Sequence, residues 1–270
     1  MSVIENALSR VRKRADRKAA DAAVPPRPDP NQTIPADPQP TRQFQMVTLD
    51  SAVLERNCVL PQVADRPAQR AYKILRTRLL QRLAAKQWRS VAVTSTTAGD
   101  GKTLTSINLA MALSQEPNTR VCLVDLDLQR PQVAAQMGLH CERGLGDYLL
   151  GEAEAVQVMY NCGSPSLVVI PNARTFDHSS EMLASARMLE LQRVIAAEMP
   201  RHIVIFDMPP LTSDDVLTFA PRVDAVLLVV AEGRTERASL LKAKELIAEM
   251  NLLGVVLNCS SERDGAAAYY

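Results

Sequence analysis

The sequence predicts an α/β fold: a doubly wound, mostly parallel sheet with helices on both faces. Three observations carry that expectation. Short, nearly unbroken apolar runs recur at Val91–Val93, Val121–Val124, Leu167–Ile170, Ile203–Phe206, Ala225–Val230 and Gly254–Leu257. Stretches of helical periodicity separate them, at Leu104–Gln115, Ser180–Glu198, Asp214–Ala220 and Thr235–Met250. Acids stand directly after two of the strands, at Asp125 and Asp207. Runs without polar alternation suit strands covered on both faces. Strand alternating with helix is the pattern of a parallel sheet, whose ligand crevice lies outside the carboxyl ends of the strands.

The first strand leads into a loop and a helix of distinctive composition. Val91 to Ala110 reads as a buried strand, a loop of small residues from Ser95 to Gly101, and then Lys102 and Thr103 opening an apolar helix. Strand, loop, Gly-Lys-Thr and helix is the geometry that cradles nucleotide phosphates, because loop N–H groups and the positive helix N-terminus face the anion. Thr97, Ala98, Gly99, Asp100, Gly101, Lys102, Thr103 and Leu104 are the candidate nucleotide contacts. Lys102 would reach the β- and γ-phosphates, and the Thr103 hydroxyl would hold Mg²⁺. The motif asks for a further glycine where Thr96 stands, while Gly99 and Gly101 supply the backbone freedom such a loop needs.

The next strand runs into Asp125-Leu-Asp127-Leu-Gln129-Arg130-Pro131. If the chain is still extended there, alternation sends Asp125 and Asp127 to one side. Carboxylates beside a phosphate loop can hold Mg²⁺, and one can take a proton from a hydroxyl. The strand ending Ile205-Phe206-Asp207-Met208-Pro209-Pro210 repeats the design. An apolar strand closed by an acid is the Walker B arrangement, which orients Mg²⁺ or its water ligands. The candidate metal set is thus Thr103, Asp125 and Asp207, and the candidate catalytic set is Lys102, Asp125 and Asp127.

Composition bounds the rest. The chain has 270 residues, 47% of them apolar, enough for one large core or two small ones. A formal net charge of +1 and an aromatic content of 4% argue against a nucleic-acid partner. Cys58, Cys122, Cys141, Cys162 and Cys259 form no CxxC pair, and His140, His178 and His202 form no ligand-spaced cluster. Reduced thiols are expected, and with no apolar run near the ~20 residues of a membrane span the chain is expected in the cytoplasm.

The chain divides into four regions. Residues 1–23 read as a basic helix with a thin stripe of Ile4, Leu8, Val11 and Ala15, suited to a partner or an anionic surface. Residues 24–66 begin with a proline-rich stretch and read as a linker, partly disordered, whose later part packs an edge of the domain or stays loose. Residues 67–262 are the phosphate-loop domain. Its first helix opens at Pro67, buries Tyr72, Leu75, Leu79 and Leu83, and turns a basic face outward. Residues 263–270 form a tail without apolar anchors that ends in Tyr269 and Tyr270.

The phosphate loop, the Asp-x-Asp strand (Walker A′) and the Asp-x-Pro-Pro segment, in this order, resemble the bacterial tyrosine kinases, or BY-kinases, of the CpsD/CapB type. Supporting matches are Gly144-Leu-Gly-Asp-Tyr-Leu-Leu-Gly151, Ser180-Glu-Met-Leu-Ala-Ser185 and Val223-Asp-Ala-Val-Leu-Leu-Val-Val230. The opening Met1-Ser-Val-Ile-Glu resembles the subgroup found with exosortase gene clusters. The resemblance implies a P-loop NTPase-type fold and a cytoplasmic autokinase that uses ATP and Mg²⁺. It implies homo-oligomers, peripheral association with the inner face of the membrane, and an activating membrane polysaccharide co-polymerase that governs exopolysaccharide chain export. It makes Lys102 the phosphate-holding lysine, Thr103 and Asp207 metal residues, and Asp125 and Asp127 the A′ acids, one of them the base. Tyr269 and Tyr270 become the phosphoacceptors.

Several positions depart from that pattern. The family's oligomerisation helix carries Glu-x-x-Arg-x-x-Arg, and Arg70, Lys73 and Arg76 stand there. Gln129 replaces an arginine. The alternative from another class is a nucleotide-switched scaffold or positioning ATPase, similar to the MinD/ParA group. That group carries an extra lysine where this chain has Thr97. An inactive nucleotide-binding regulator is a third reading.

Overall fold

The structure, a computed structural model, describes residues 44–62 and 66–260. The basic segment 1–23, the proline-rich start of the linker and the tyrosine tail lie outside them. The chain runs β1 (Gln45–Val47), α1 (Ser51–Arg56), α2 (Arg66–Lys86), β2 (Ser90–Ser95), α3 (Lys102–Ser114) and β3 (Val121–Asp125). It continues through α4 (Val133–Met137), α5 (Leu145–Leu150), a 3-10 turn, β4 (Tyr160–Cys162), β5 (Leu167–Ile170), α6 (Ser179–Ala184) and α7 (Ala186–Glu198). Then come β6 (Ile203–Asp207), α8 (Asp214–Phe219) with a 3-10 extension, β7 (Ala225–Ala231), α9 (Arg237–Leu246) and β8 (Leu252–Asn258).

The strands form one sheet in the order β1-β4-β5-β3-β6-β2-β7-β8. Each pairing is parallel except β4 with β5. Alternate side chains feed two cores. Val91, Val93, Leu123 and Ile205 pack one face with Leu79 and Leu83 of α2 and Ile107 of α3. Ala92, Val124 and Phe206 pack the other face with Leu191 and Ile195 of α7 and Phe219 of α8. The strand carrying the phosphate loop therefore lies between β6 and β7, deep inside the sheet.

The later part of the linker takes the packed one of its two expected states: Phe44 is buried, β1 adds an edge strand beside β4, and Leu54, Val59 and Leu60 join the core. A buried polar anchor explains the attachment, since Asn108 of α3 accepts the Leu60 N–H at 2.8 Å and donates to the Cys58 carbonyl at 3.1 Å. The helix expected over Ser180–Glu198 is two. Ser185 takes an extended conformation and its hydroxyl accepts the Met188 N–H, which caps α7 and stops α6.

Candidate functional site

The phosphate loop leaves β2 at Ser95, and Gly101 begins α3 in a left-handed conformation, φ 91°. Gly101 at the N-cap has no side chain to cap that helix, so the cap residue does not compete with an anion for the first N–H groups. Ala98, Gly99, Gly101, Lys102, Thr103 and Leu104 line a crevice of about 790 Å³. Thr97 and Asp100 turn away from it: the Asp100 carboxylate accepts the Thr97 N–H at 2.8 Å and the Thr97 hydroxyl at 3.0 Å.

The acids arrive on the neighbouring strands, and the register sets Asp125 of β3 directly opposite Asp207 of β6. Thr103 donates its hydroxyl to Asp207 Oδ2 at 2.7 Å, and Ser106 donates to Oδ1 at 2.9 Å. Lys102 Nζ makes an ion pair with Asp127 Oδ2 at 2.7 Å and donates to the Thr103 hydroxyl at 3.2 Å. One chain of contacts thus joins Asp127, Lys102, Thr103 and Asp207. The two A′ acids differ in setting. Asp127 lines the crevice. Asp125 is fully buried beneath it, and its oxygens accept N–H groups of Asp127, Gln132 and Val133 at 3.2, 3.2 and 3.0 Å.

Burial and mutual repulsion set the protonation of this cluster. Burial, then the Asp207 charge, push Asp125 well above the ordinary carboxylate range. Burial raises Asp207 too, although Lys102 and the two hydroxyls pull the other way. Burial works against the Lys102 ammonium, but Asp207 and then Asp127 outweigh it and hold Lys102 above its ordinary value.

Hard oxygen donors surround this point, and among the described residues no group of three or more His, Cys, Asp or Glu could hold a metal ion. That donor set fits Mg²⁺, which binds through one or two carboxylates together with phosphate oxygens and water. Thr103 and Asp207 are in contact; Asp125 lies behind them. Tyr269 and Tyr270 fall outside the described residues.

Sequence reading missed Ser106, and it missed the partners of Gln129. Ser106 lies one turn after Lys102 on the same helix face, and that spacing could have found it. On the far wall Gln129 Nε2 donates to the Ser179 hydroxyl at 3.0 Å, and Ser179 donates to the buried Asp215 at 2.8 Å. These residues come from three separate connections, and no local spacing marks them.

A phosphate loop after a central strand of a mostly parallel sheet, with acids from the next two strands on one side of it, defines a nucleotide-binding P-loop NTPase. A ParA model, described as NUBPL iron-transfer P-loop NTPase, matches residues 87–265. Tyrosine-protein kinase YwqD of Bacillus subtilis is 32% identical over 190 residues, 69% of this chain and 79% of that protein. The putative tyrosine-protein kinase EpsB of Ralstonia nicotianae is 32% identical over 73% of this chain, which spans only 26% of that protein. The solved kinase domain of the Escherichia coli tyrosine kinase ETK superposes with a TM-score of 0.68 at 26% identity, covering 87% of this chain and 89% of that one. The chain belongs to the ParA family of P-loop NTPases and, within it, to the bacterial tyrosine kinases. Among the described residues no helix is long and apolar enough to cross a membrane.

Proposed function

We propose that the protein is a Mg·ATP-dependent tyrosine autokinase that regulates exopolysaccharide synthesis and export. One observation carries this reading: the contact chain Asp127–Lys102–Thr103–Asp207 at the mouth of a phosphate loop. In the proposed reaction Lys102 binds the β- and γ-phosphates and gives up its pairing with Asp127. Thr103 and Asp207, with Asp125 behind them, would hold Mg²⁺. The bound ion supplies charge neutralisation at the phosphate oxygens. The hydroxyl oxygen of Tyr269 or Tyr270 attacks the γ-phosphorus, the bond to the bridging oxygen breaks, and ADP leaves. One of the two A′ acids receives the hydroxyl proton, and Asp127 is the one on the crevice wall. Positioning and charge neutralisation are the main demands of such a transfer.

By family resemblance, the activator is a membrane polysaccharide co-polymerase, which would draw homo-oligomers to the inner face of the membrane. The test is incubation of the full chain with γ-labelled Mg·ATP, with and without the cytosolic segment of such a partner. Label on Tyr269 or Tyr270 that disappears in Lys102→Met is the expected result. ATP hydrolysis without phosphotyrosine would replace this reading with the switch ATPase.

A further inference from the structure

The carboxyl ends of β7 and β8 close on the back of the phosphate loop. Asn258, the last residue of β8, donates its side-chain amide to the Asp100 carbonyl at 2.9 Å. Its own carbonyl accepts the Glu232 N–H at 2.9 Å, which ties it to the turn after β7. From that same connection Thr235 donates its hydroxyl to Asp100 Oδ1 at 3.1 Å and accepts the Ala231 N–H at 3.1 Å. Asp100, one residue before Gly101, is thus held from the end of β8 and from the connection after β7, and is 1% exposed. A Cβ on Gly101 would overlap the Asn258 amide nitrogen, so that amide is packed directly on the glycine. None of Asp100, Thr235 and Asn258 lines the crevice.

The loop needs such support. Gly99 and Gly101 both have left-handed φ, 88° and 91°, and glycine has more backbone freedom to lose than any other residue. Gly101, the N-cap of α3, has no side chain to fix the turn either. Whatever fixes Gly101 also fixes where Lys102 and Thr103 leave the backbone.

We propose that Asn258 is a positioning residue for the phosphate loop: its amide, seated on Asp100 and Gly101, holds the turn that presents Lys102 and Thr103 to a nucleotide. Because coupling between sites is reciprocal, a nucleotide that orders the loop also tightens the end of β8. This inference rests on the nucleotide-binding reading of the crevice.

The test is calorimetric titration of the full chain with Mg·ATP and Mg·ADP, beside the melting temperature without nucleotide. Asn258→Ala removes one hydrogen bond and is expected to weaken nucleotide binding about tenfold, with the unliganded melting temperature nearly unchanged. Asn258→Asp keeps the shape but turns an acceptor toward the Asp100 carbonyl, and is expected to weaken binding further than alanine does. Thr235→Val, which acts on Asp100 from the connection after β7, is expected to weaken binding in the same direction. In turnover, KM for ATP rises by more than kcat falls. Unaltered affinity in all three variants, with the unsubstituted chain binding normally, would overturn this inference and leave the crevice reading intact. So would losses that merely track lost unliganded stability, because then Asn258 serves the fold and not the loop. Failure of the unsubstituted chain to bind either nucleotide would overturn the crevice reading and this inference with it.

Discussion

Thr103 and Asp207 meet at 2.7 Å, hydroxyl to carboxylate, across the gap between the first turn of α3 and the end of β6. With Ser106 on the other carboxylate oxygen, Asp207 is held by two hydroxyls and is wholly buried. Asp207→Asn keeps the size of the side chain and removes its charge. Mg·ATP turnover is expected to fall at least tenfold, by the worth of a charge-assisted contact of about 1.5–3 kcal/mol. The fold should survive, because a neutral amide is easier to bury than a carboxylate. Turnover and far-UV circular dichroism on the same preparation check both halves, and unchanged turnover would remove Asp207 from the site.

The same carboxyl sets a pH dependence. Burial raises the Asp207 pKa above its ordinary value of 3.8, so the folded protein binds that proton more tightly than the unfolded chain does. Its stabilising contribution is full below 3.8 and is lost as pH rises through the raised folded value. Without nucleotide, the wild-type melting temperature should therefore fall relative to Asp207→Asn as pH climbs from 3.8 upward. A constant difference between the two proteins across that window would show that Asp207 is not shifted. Nucleotide binding with Mg²⁺ runs the other way, since it needs the ionised acid and should weaken as pH is lowered into the same window.

Asp125 and Asp127 are two residues apart and sit in different settings, which predicts different effects of substitution. Asp125 accepts three backbone N–H groups, including those of Gln132 and Val133 where α4 begins. Asp125→Asn turns an N–H₂ toward those donors and should cost about 1–3 kcal/mol of stability, read as a lower urea midpoint. Asp127→Asn leaves Lys102 with Asp207 and Asp125 still nearby, so the midpoint should move less while phosphoryl transfer collapses. Equal loss of stability in both variants would contradict this division.

Much of the fold and the loop-and-acid core of the site was legible because both depend on short-range patterns. The strands are apolar runs, and Lys102, Thr103, Asp125 and Asp207 sit at fixed places relative to strand ends. What escaped depends on distant partners. β1 is only Gln45–Val47, largely exposed, and becomes a strand because β4 lies beside it. α1 and α4 are too short for a helical period to register. The break at Ser185 rests on a single side-chain cap inside a sequence that otherwise reads as continuous helix. Asp215 lines the crevice and accepts the hydroxyl of Ser179, which the chain brings from another connection.

The basic face of α2 is not a uniformly solvated surface. Arg76 pairs with Glu116 at 2.8 Å and donates to the Ala112 carbonyl at 3.2 Å, at the end of the helix that the phosphate loop begins. The side chains are 18% and 35% exposed, so the pair is partly shielded and worth somewhat more than an open surface bridge. A cation at a helix C-terminus also complements the dipole. Arg76→Ala should therefore cost about 1–2 kcal/mol of stability, whatever its effect on self-association. Thermal melting beside sedimentation velocity separates the two effects. A variant that melts like the wild type but sediments as smaller particles would make Arg76 an oligomer contact and not a clasp on α3.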